Sequence, residues 1–309
     1  MPEVFPQAQN KNPIATNPKI VAQQFDLHDV RLLAGPLKEH LERNRKYLLS
    51  LDVDRLVHNF RINAGLPSKA QPLGGWEAPN CELRGHFTGH YLSACALMFA
   101  STGDARVKGK GGQVVDALAE CQSALGSSGY LSAYPEEFID RVENGKRVWA
   151  PYYTLHKVMA GLLDMYLLCG NPRALEVVKG MAAWTKARID KLDERRMQEM
   201  LNVEFGGMAE VLANLYAVTA DPVHQETALR FEKRSFLDPL ADHKDQLQGL
   251  HANTHIPQVI GAAREYELTG ETRYRELASF FWHEIVDARS YATGGTSNYE
   301  YWRDEPYKL

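Results

Sequence analysis

The sequence predicts an all-α protein built from consecutive helix hairpins. Four segments share one pattern, in which an apolar helix ends in an aromatic residue, followed by three residues, a small residue and an acidic or amide residue. These endings run over 99–104, 166–171, 216–221 and 266–271, so the last three lie 50 residues apart. A fixed period of this length is typical of stacked supersecondary units. No segment reads as a convincing strand, which leaves an open solenoid or a closed ring of hairpins.

The helices follow in order from these endings. A first helix is predicted from about Val30, with Pro36 in its first turn, and a second one through Leu56 and Phe60. The first helices of the four repeated pairs are predicted over 87–101, 152–168, 204–218 and 253–268, and the second helices over 111–125, 172–190, 222–236 and 272–288. The first helices are richer in apolar and small residues, which predicts that they form an inner layer, whereas the charged second helices face water.

Composition excludes several functional classes. The 309 residues carry a formal net charge of −4, which gives no reason to expect a nucleic acid or an anionic membrane as a partner. No apolar run approaches the roughly 20 residues that span a bilayer, and the first residues lack the pattern of a signal peptide, which leaves the localisation open. The four cysteines form no CxxC pair, so neither a disulfide framework nor a zinc finger is expected. Residues 1–28, rich in proline, predict an extended arm before one helical domain over 29–309.

Polar residues recur near the starts of the four first helices. The residues His90, His156, Glu204 and His255 lie 13, 14, 16 and 15 positions before the small residues of the turns. At about 1.5 Å per residue these offsets agree within one helical turn, so side-by-side helices would bring the four side chains to one mouth. Imidazole, carboxylate and aromatic groups without a basic excess suit a neutral polyol such as a sugar. The alternative is that each polar residue only satisfies its own helix.

The segment 291–305 is the second candidate site. Two glycines, hydroxyl residues and then Glu300 indicate a tight loop that presents a carboxylate. A phosphate-binding loop is disfavoured, because no Lys-Ser/Thr pair follows and no strand precedes. An ordinary connection remains the alternative.

Several motifs together resemble a known enzyme family. They include Gly74-Gly-Trp76-Glu77, Leu83-Arg-Gly-His-Phe-Thr-Gly-His90, Tyr152-Tyr-Thr-Leu-His156, Glu204-Phe-Gly-Gly-Met, His251-Ala-Asn-Thr-His255 and Thr293-Gly-Gly-Thr-Ser-Asn-Tyr-Glu300. In combination they resemble the bacterial β-L-arabinofuranosidases of glycoside hydrolase families 127 and 146. The resemblance extends from about Phe25 to the last residue.

The resemblance implies an (α/α)6 barrel and a retaining hydrolysis, in which a zinc-bound cysteine thiolate is the nucleophile and a glutamate is the acid/base. It further implies that Glu300 is a zinc ligand, and that Trp76, His90, His156, Glu204 and His255 contact the sugar. The family's Glu-Thr-Cys and later cysteine motifs are expected downstream of Leu309, so no catalytic residue is expected in this chain and zinc is not expected to bind to it. Tyr299 is a departure, since glycine is usual at that position.

The hairpin count adds an expectation about association. Five hairpins are counted where a closed barrel of this type has six, so the ring is expected to be incomplete and to self-associate through exposed barrel edges. The predicted partner is an arabinose-containing glycan or another sugar. Two other functions remain open: a helical-repeat carbohydrate-binding or scaffold protein, and another α/α-ring sugar enzyme such as an epimerase or an unsaturated uronyl hydrolase.

Overall fold

A computed structural model describes residues 18, 22 and 24–303. Over these residues the chain forms fourteen α-helices and two isolated β-bridges, which confirms the predicted all-α class. Most of the predicted arm, 1–28, lies outside the described residues. No helix in the described part of the chain combines the length and apolar character needed to cross a bilayer.

The described residues divide into two compact units, the first over Ala22–Lys191 and the second from Leu192 onward. The helices of the first unit are α1 (Pro36–Ser50), α2 (Val53–Leu56), α3 (His58–Asn63), α4 (His86–Thr102), α5 (Ala105–Ala124), α6 (Glu137–Glu143), α7 (Pro151–Cys169) and α8 (Pro172–Ile189). Those of the second unit are α9 (Glu194–Val203), α10 (Met208–Thr219), α11 (Pro222–Arg230), α12 (Arg234–Ala241), α13 (Ala252–Thr269) and α14 (Thr272–Trp282).

The repeated turns close the hairpins as their residues dictate. The small residue of each turn is left-handed, with φ between 57° and 75° at Gly103, Gly170, Ala220 and Gly270. Glycine adopts this conformation without a Cβ penalty and accordingly occupies three of the four positions. The side chains of Asp104, Asn171 and Asp221 then accept backbone N–H bonds and cap the next helix. Glu271 holds the same position but makes no side-chain cap.

The first helix of each pair is the more buried one, as the composition predicted. In α4, α7, α10 and α13 the apolar residues line the cores of the two units. In the second unit the core joins α12, α13 and α14 around the buried Trp302, which is 1% exposed. Burial of this apolar area from water is the main stabilising term for each unit.

Several predicted boundaries were wrong. Helix α1 begins at Pro36 rather than near Val30. Helix α5 begins at Ala105 rather than 111, because Asp104 caps it directly after the turn. Glu204 does not lie on α10: it is the C-cap of α9, and Gly206, with φ of 51°, separates it from the start of α10. The predicted helix 222–236 is interrupted after Arg230 and continues as α12.

Candidate functional site

The close approach of α4 and α7 builds the site of the first unit. A Cβ on Gly89 would lie 2.2 Å from the Lys157 carbonyl carbon, and one on Gly161 would lie 2.3 Å from the Gly89 oxygen. Only glycine allows backbones to pack at this distance. The contact therefore places the polar residues at the N-terminal end of α4 beside those of α7.

A buried carboxylate organises the start of α4. Glu77 is 7% exposed and accepts hydrogen bonds from the backbone N–H groups of Gly85 at 2.7 Å and Phe87 at 2.9 Å. Its other neighbour is His86, whose Nδ1 lies 2.7 Å from Oε1 of Glu77 and 3.0 Å from the Leu83 oxygen. Two acceptors at Nδ1 require the proton there, which leaves Nε2 of His86 as an acceptor in the neutral ring.

Aromatic and imidazole rings surround His86. The ring of His90 lies 5.9 Å from it at nearly a right angle, and those of Trp76 and Tyr153 are each 6.2 Å away. Trp76 also meets Trp149 edge to face, with ring centroids 6.1 Å apart. The two indoles are 63% and 48% exposed, whereas His86 between these rings is buried at 8%.

The two predicted histidines of this unit differ in access. His90 is exposed, whereas His156 is 5% exposed and lies within the helix layer. Partial desolvation, followed by the charges of Lys157, His86 and His156, outweighs the opposing charge of Glu77 and lowers the pKa of His90 to about 4. His90 is therefore neutral at physiological pH and offers one donor and one acceptor.

In the second unit, a two-residue hairpin presents Glu300. The backbone of Asn298 and Tyr301 pairs in both directions, at 3.0 and 3.1 Å, around Tyr299 and Glu300, whose φ angles are 48° and 71°. Positive φ at both central positions defines a type I′ turn, which favours Asn and Gly. Each non-glycine residue held there costs about 1–3 kcal/mol. The buried Trp302 anchors the hairpin, and strain of this kind is often retained at functional positions.

His251, which was not predicted as a site residue, contacts the carboxylate of Glu300. His251 caps α13, with Nδ1 accepting the N–H of Thr254 at 3.3 Å, and its Nε2 lies 3.1 Å from Oε2 of Glu300. Because Nδ1 is an acceptor, the proton is on Nε2, which donates to Glu300. The Glu300 side chain is 74% exposed. An exposed carboxylate held in this way can bind a hydroxyl, exchange a proton or ligate a cation.

His255 lies inside the second unit. It is 5% exposed, and its ring packs against Phe205 at 5.1 Å and Phe236 at 4.7 Å. Nδ1 donates to the His251 oxygen at 2.8 Å, and Nε2 faces Nζ of Lys233 at 3.4 Å. Burial lowers the pKa of His255 to about 4. The hydrogen bond to His251 opposes this shift, and the charge of Lys233 adds to it.

The predicted site residues thus fall into two sets. Trp76, His90 and His156 belong to the first unit, where His86 links the first two of them. Glu204, His255 and Glu300 belong to the second, where His251 bonds both His255 and Glu300. The single mouth shared by all four repeats stays a prediction.

Three residues of these sets were not predicted as site residues: Glu77, Trp149 and His251. His86 was predicted only to lie near the proposed mouth. The spacing of His86 and His90, four residues apart on one helix face, is a signal that was available. Glu77, next to Trp76 in a glycine-rich loop, also stood within a noted motif. Nothing in the sequence pattern marked Trp149, because its position depends on contacts with distant residues.

The described residues do not complete a zinc site. No group of three or more His, Cys, Asp or Glu side chains in the described part of the chain could hold a metal ion. Glu300 and His251 supply two donors, fewer than the four ligands usual for zinc. Burial raises the pKa of the Cys95 and Cys121 thiols to about 11, which is the opposite of the thiolate character a zinc ligand needs.

Comparison with known proteins identifies the family. The model of the β-L-arabinofuranosidase GH127 catalytic domain matches residues 29–309. No curated protein sequence matches the chain.

Solved structures share the fold. Ara127N-Se, a GH127 β-L-arabinofuranosidase from Geobacillus stearothermophilus T6, aligns with a TM-score of 0.61 at 15% identity, covering 84% of this chain and 45% of that one. The GH127 β-arabinofuranosidase BT3674 aligns with a TM-score of 0.62 at 17% identity, covering 93% and 46%. The chain therefore spans less than half the length of these structures. The likenesses show the helical-barrel fold class that was predicted. With the match over residues 29–309, the chain belongs to the GH127 β-L-arabinofuranosidase catalytic-domain family.

Proposed function

We propose that this chain supplies the sugar-binding surface of a retaining β-L-arabinofuranosidase that acts on an arabinose-containing glycan. The observation that carries the proposal is the pair of exposed rings, Trp76 and His90, on either side of the buried His86, whose tautomer is set by Glu77. An indole face stacks on the apolar face of a sugar ring, while imidazole nitrogens bond its hydroxyls. This chemistry needs no charged ligand.

The other predicted residues fit supporting roles in the same proposal. His156 and His255 are buried, each at 5% exposure, and belong to the helix ends of the first and the second unit respectively. Glu204 stands beside Phe205, which packs on His255. Glu300, bonded to His251 and mostly exposed, remains available as a ligand of the family's zinc or as a proton-exchanging group.

Replacing Trp76 tests the binding proposal. We expect Trp76→Ala to weaken binding of methyl β-L-arabinofuranoside at least about tenfold, because a loss near 1.4 kcal/mol of stacking corresponds to that factor. Trp282→Ala is the matched control, since Trp282 is equally exposed at 62% but belongs to the second unit. Calorimetric titration measures both. Equal affinities for Trp76→Ala and wild type would contradict the proposal.

Activity of the chain by itself is a separate prediction. We expect no hydrolysis of p-nitrophenyl β-L-arabinofuranoside, with or without added zinc, because none of the four cysteines lies in a motif of the family's nucleophile. Moreover, burial of Cys95 and Cys121 raises the pKa of both thiols and disfavours the reactive thiolate. The assay follows nitrophenolate release, and turnover that co-purifies with the chain would refute this expectation.

The carbohydrate-binding alternative uses the same surface without hydrolysis. Sugar binding together with absence of turnover in a chain that also carries the family's Glu-Thr-Cys and later cysteine motifs would favour it. An epimerase or uronyl hydrolase function is disfavoured by the family match over 29–309. We also propose that copies of this chain associate with one another through exposed barrel edges.

A further inference from the structure

We infer that Trp76 and Trp149 together bind two adjacent sugar residues, so that the site takes a di- or oligosaccharide in preference to a single sugar. The inference rests on the proposed function, and it adds a residue and a preference for substrate size. Trp149 is the residue that the sequence pattern and the family motifs leave unassigned.

The relative orientation of the two indoles is the first argument. Their planes lie at 85° and their centroids are 6.1 Å apart. A single flat sugar ring can stack on one of two perpendicular faces, but not on both. The second face is left for the neighbouring ring of the same glycan, because the chain changes direction at each glycosidic linkage.

The second argument is that Trp149 is held in place although its side chain is exposed. Its backbone N–H donates to Oε2 of Glu82 at 2.9 Å, and Oε1 of Glu82 accepts from Arg141 of α6 at 2.6 Å. Burial opposes ionisation of Glu82, but Arg141 and the Trp149 N–H outweigh it and lower the pKa of Glu82. The next residue, Ala150, is left-handed, with φ of 52°, and caps α7. This support reduces the ordering entropy lost when a ligand binds.

Neighbouring groups favour a sugar over an apolar protein segment as the occupant. Trp76 borders His86, and His86 borders His90 and Tyr153. Hydrogen-bonding rings therefore lie directly beside the indole faces. A glycan needs this alternation of apolar face and hydroxyl partner, whereas a docked apolar helix would offer no hydrogen-bond partner to the exposed ring of His90.

The experiment compares one sugar with two. Methyl β-L-arabinofuranoside and a β-L-arabinofuranosyl disaccharide are titrated into wild type, Trp149→Ala and the control Trp282→Ala. We expect wild type to bind the disaccharide about tenfold more tightly than the monosaccharide, and Trp149→Ala to lose this gain while keeping its monosaccharide affinity. The backbone bond to Glu82 does not depend on the side chain at 149, so the loop is expected to keep its position.

Each outcome decides a different claim. Wild-type affinities that are equal for the two sugars, or a Trp149→Ala variant that retains the disaccharide preference, overturn this inference and leave the proposed function standing. Wild type that binds neither sugar overturns the proposed function together with the inference. Trp149→Phe, which keeps a smaller aromatic face, is expected to retain part of the gain, and circular dichroism of both variants verifies the helices.

Discussion

Gly89→Ala is expected to destabilise the first unit by at least about 3 kcal/mol. The new Cβ would lie 2.2 Å from the Lys157 carbonyl and 2.5 Å from the Val158 nitrogen, so helix backbone, rather than a flexible side-chain end, would have to move. Overpacking of a core by side chains alone already costs about 1–3 kcal/mol, and separating α4 from α7 adds lost apolar contact. Urea unfolding followed by circular dichroism measures the change. The same displacement would disturb His86 and His90, so sugar binding should fall as well.

The matched control is Gly109→Ala on α5. Gly109 is also in a helix, but a Cβ there meets nothing within 4 Å. Alanine is the better helix former and restricts the unfolded chain, so this variant should gain about 0.5–1 kcal/mol. Opposite signs for the two substitutions are the expected signature of a glycine-dependent helix contact. Similar changes in both variants would show that helix propensity, and not the contact, sets the effect.

The second large effect is a pH-dependent stability that depends on Glu265 of α13. Glu265 is 2% exposed. Among the described residues Oε2 has one partner, Gln225 at 2.9 Å, and Oε1 accepts no hydrogen bond. Burial, aided by the nearby charges of Glu232 and Glu271 and opposed by Gln225 and Arg264, raises the pKa of Glu265 to about 7. The folded state therefore keeps a proton that the unfolded chain has already lost.

The sign follows from linkage. Below about pH 4.5 both states hold the proton, and between about 4.5 and 7 only the folded state does, so stability falls as the pH rises through this window. At about 1.36 kcal/mol per unit, the loss approaches roughly 3 kcal/mol above pH 7. Glu265→Gln keeps the acceptor for Gln225 and removes the charge. We expect the variant to be about 2–3 kcal/mol more stable than wild type at pH 8, and much closer to it at pH 4.5.

Urea midpoints at the two pH values provide the measurement. Glu226→Gln, at an exposed position of α11, is the control and should leave the pH dependence of wild type unchanged. Other groups titrate in the same range, since the lowered pKa of His255 weakens the fold as the pH falls below about 6.5. The difference between wild type and Glu265→Gln removes that contribution. A difference that is constant from pH 4.5 to 8 would disprove the assignment.

The repeat could be predicted because its information is local. A left-handed glycine, a capping aspartate or asparagine and a proline in the first turn act within a few residues, so Gly170, Asn171 and Pro172 specify their turn without help from the rest of the chain. Where the local signal was weaker, the predicted helix boundaries were wrong. The spacing placed Glu204 at a helix start, but Gly206 and Gly207 separate it from the first residue of α10.

The turn at Glu300 was likewise only partly predictable from the sequence. A tight loop presenting a carboxylate was readable from the paired glycines and hydroxyl residues of 293–300. The positive φ angles of Tyr299 and Glu300 could not be predicted, because neither residue type prefers them. The backbone bonds to the chain around His251 and the burial of Trp302 hold this conformation, and both are contacts between residues far apart in sequence.

The sequence by itself determined the all-α class, the hairpin order and, through its motifs, the family. Only the tertiary structure decided which polar residues meet: Glu77 with His86, Trp76 with Trp149, and His251 with Glu300. It also decided access, leaving His90 open to solvent and burying His156 and His255. The physical reason is the distance along the sequence over which each interaction acts. Turns and caps are set by neighbours along the chain, whereas burial, tautomer and pKa are set by whatever the fold packs against a side chain.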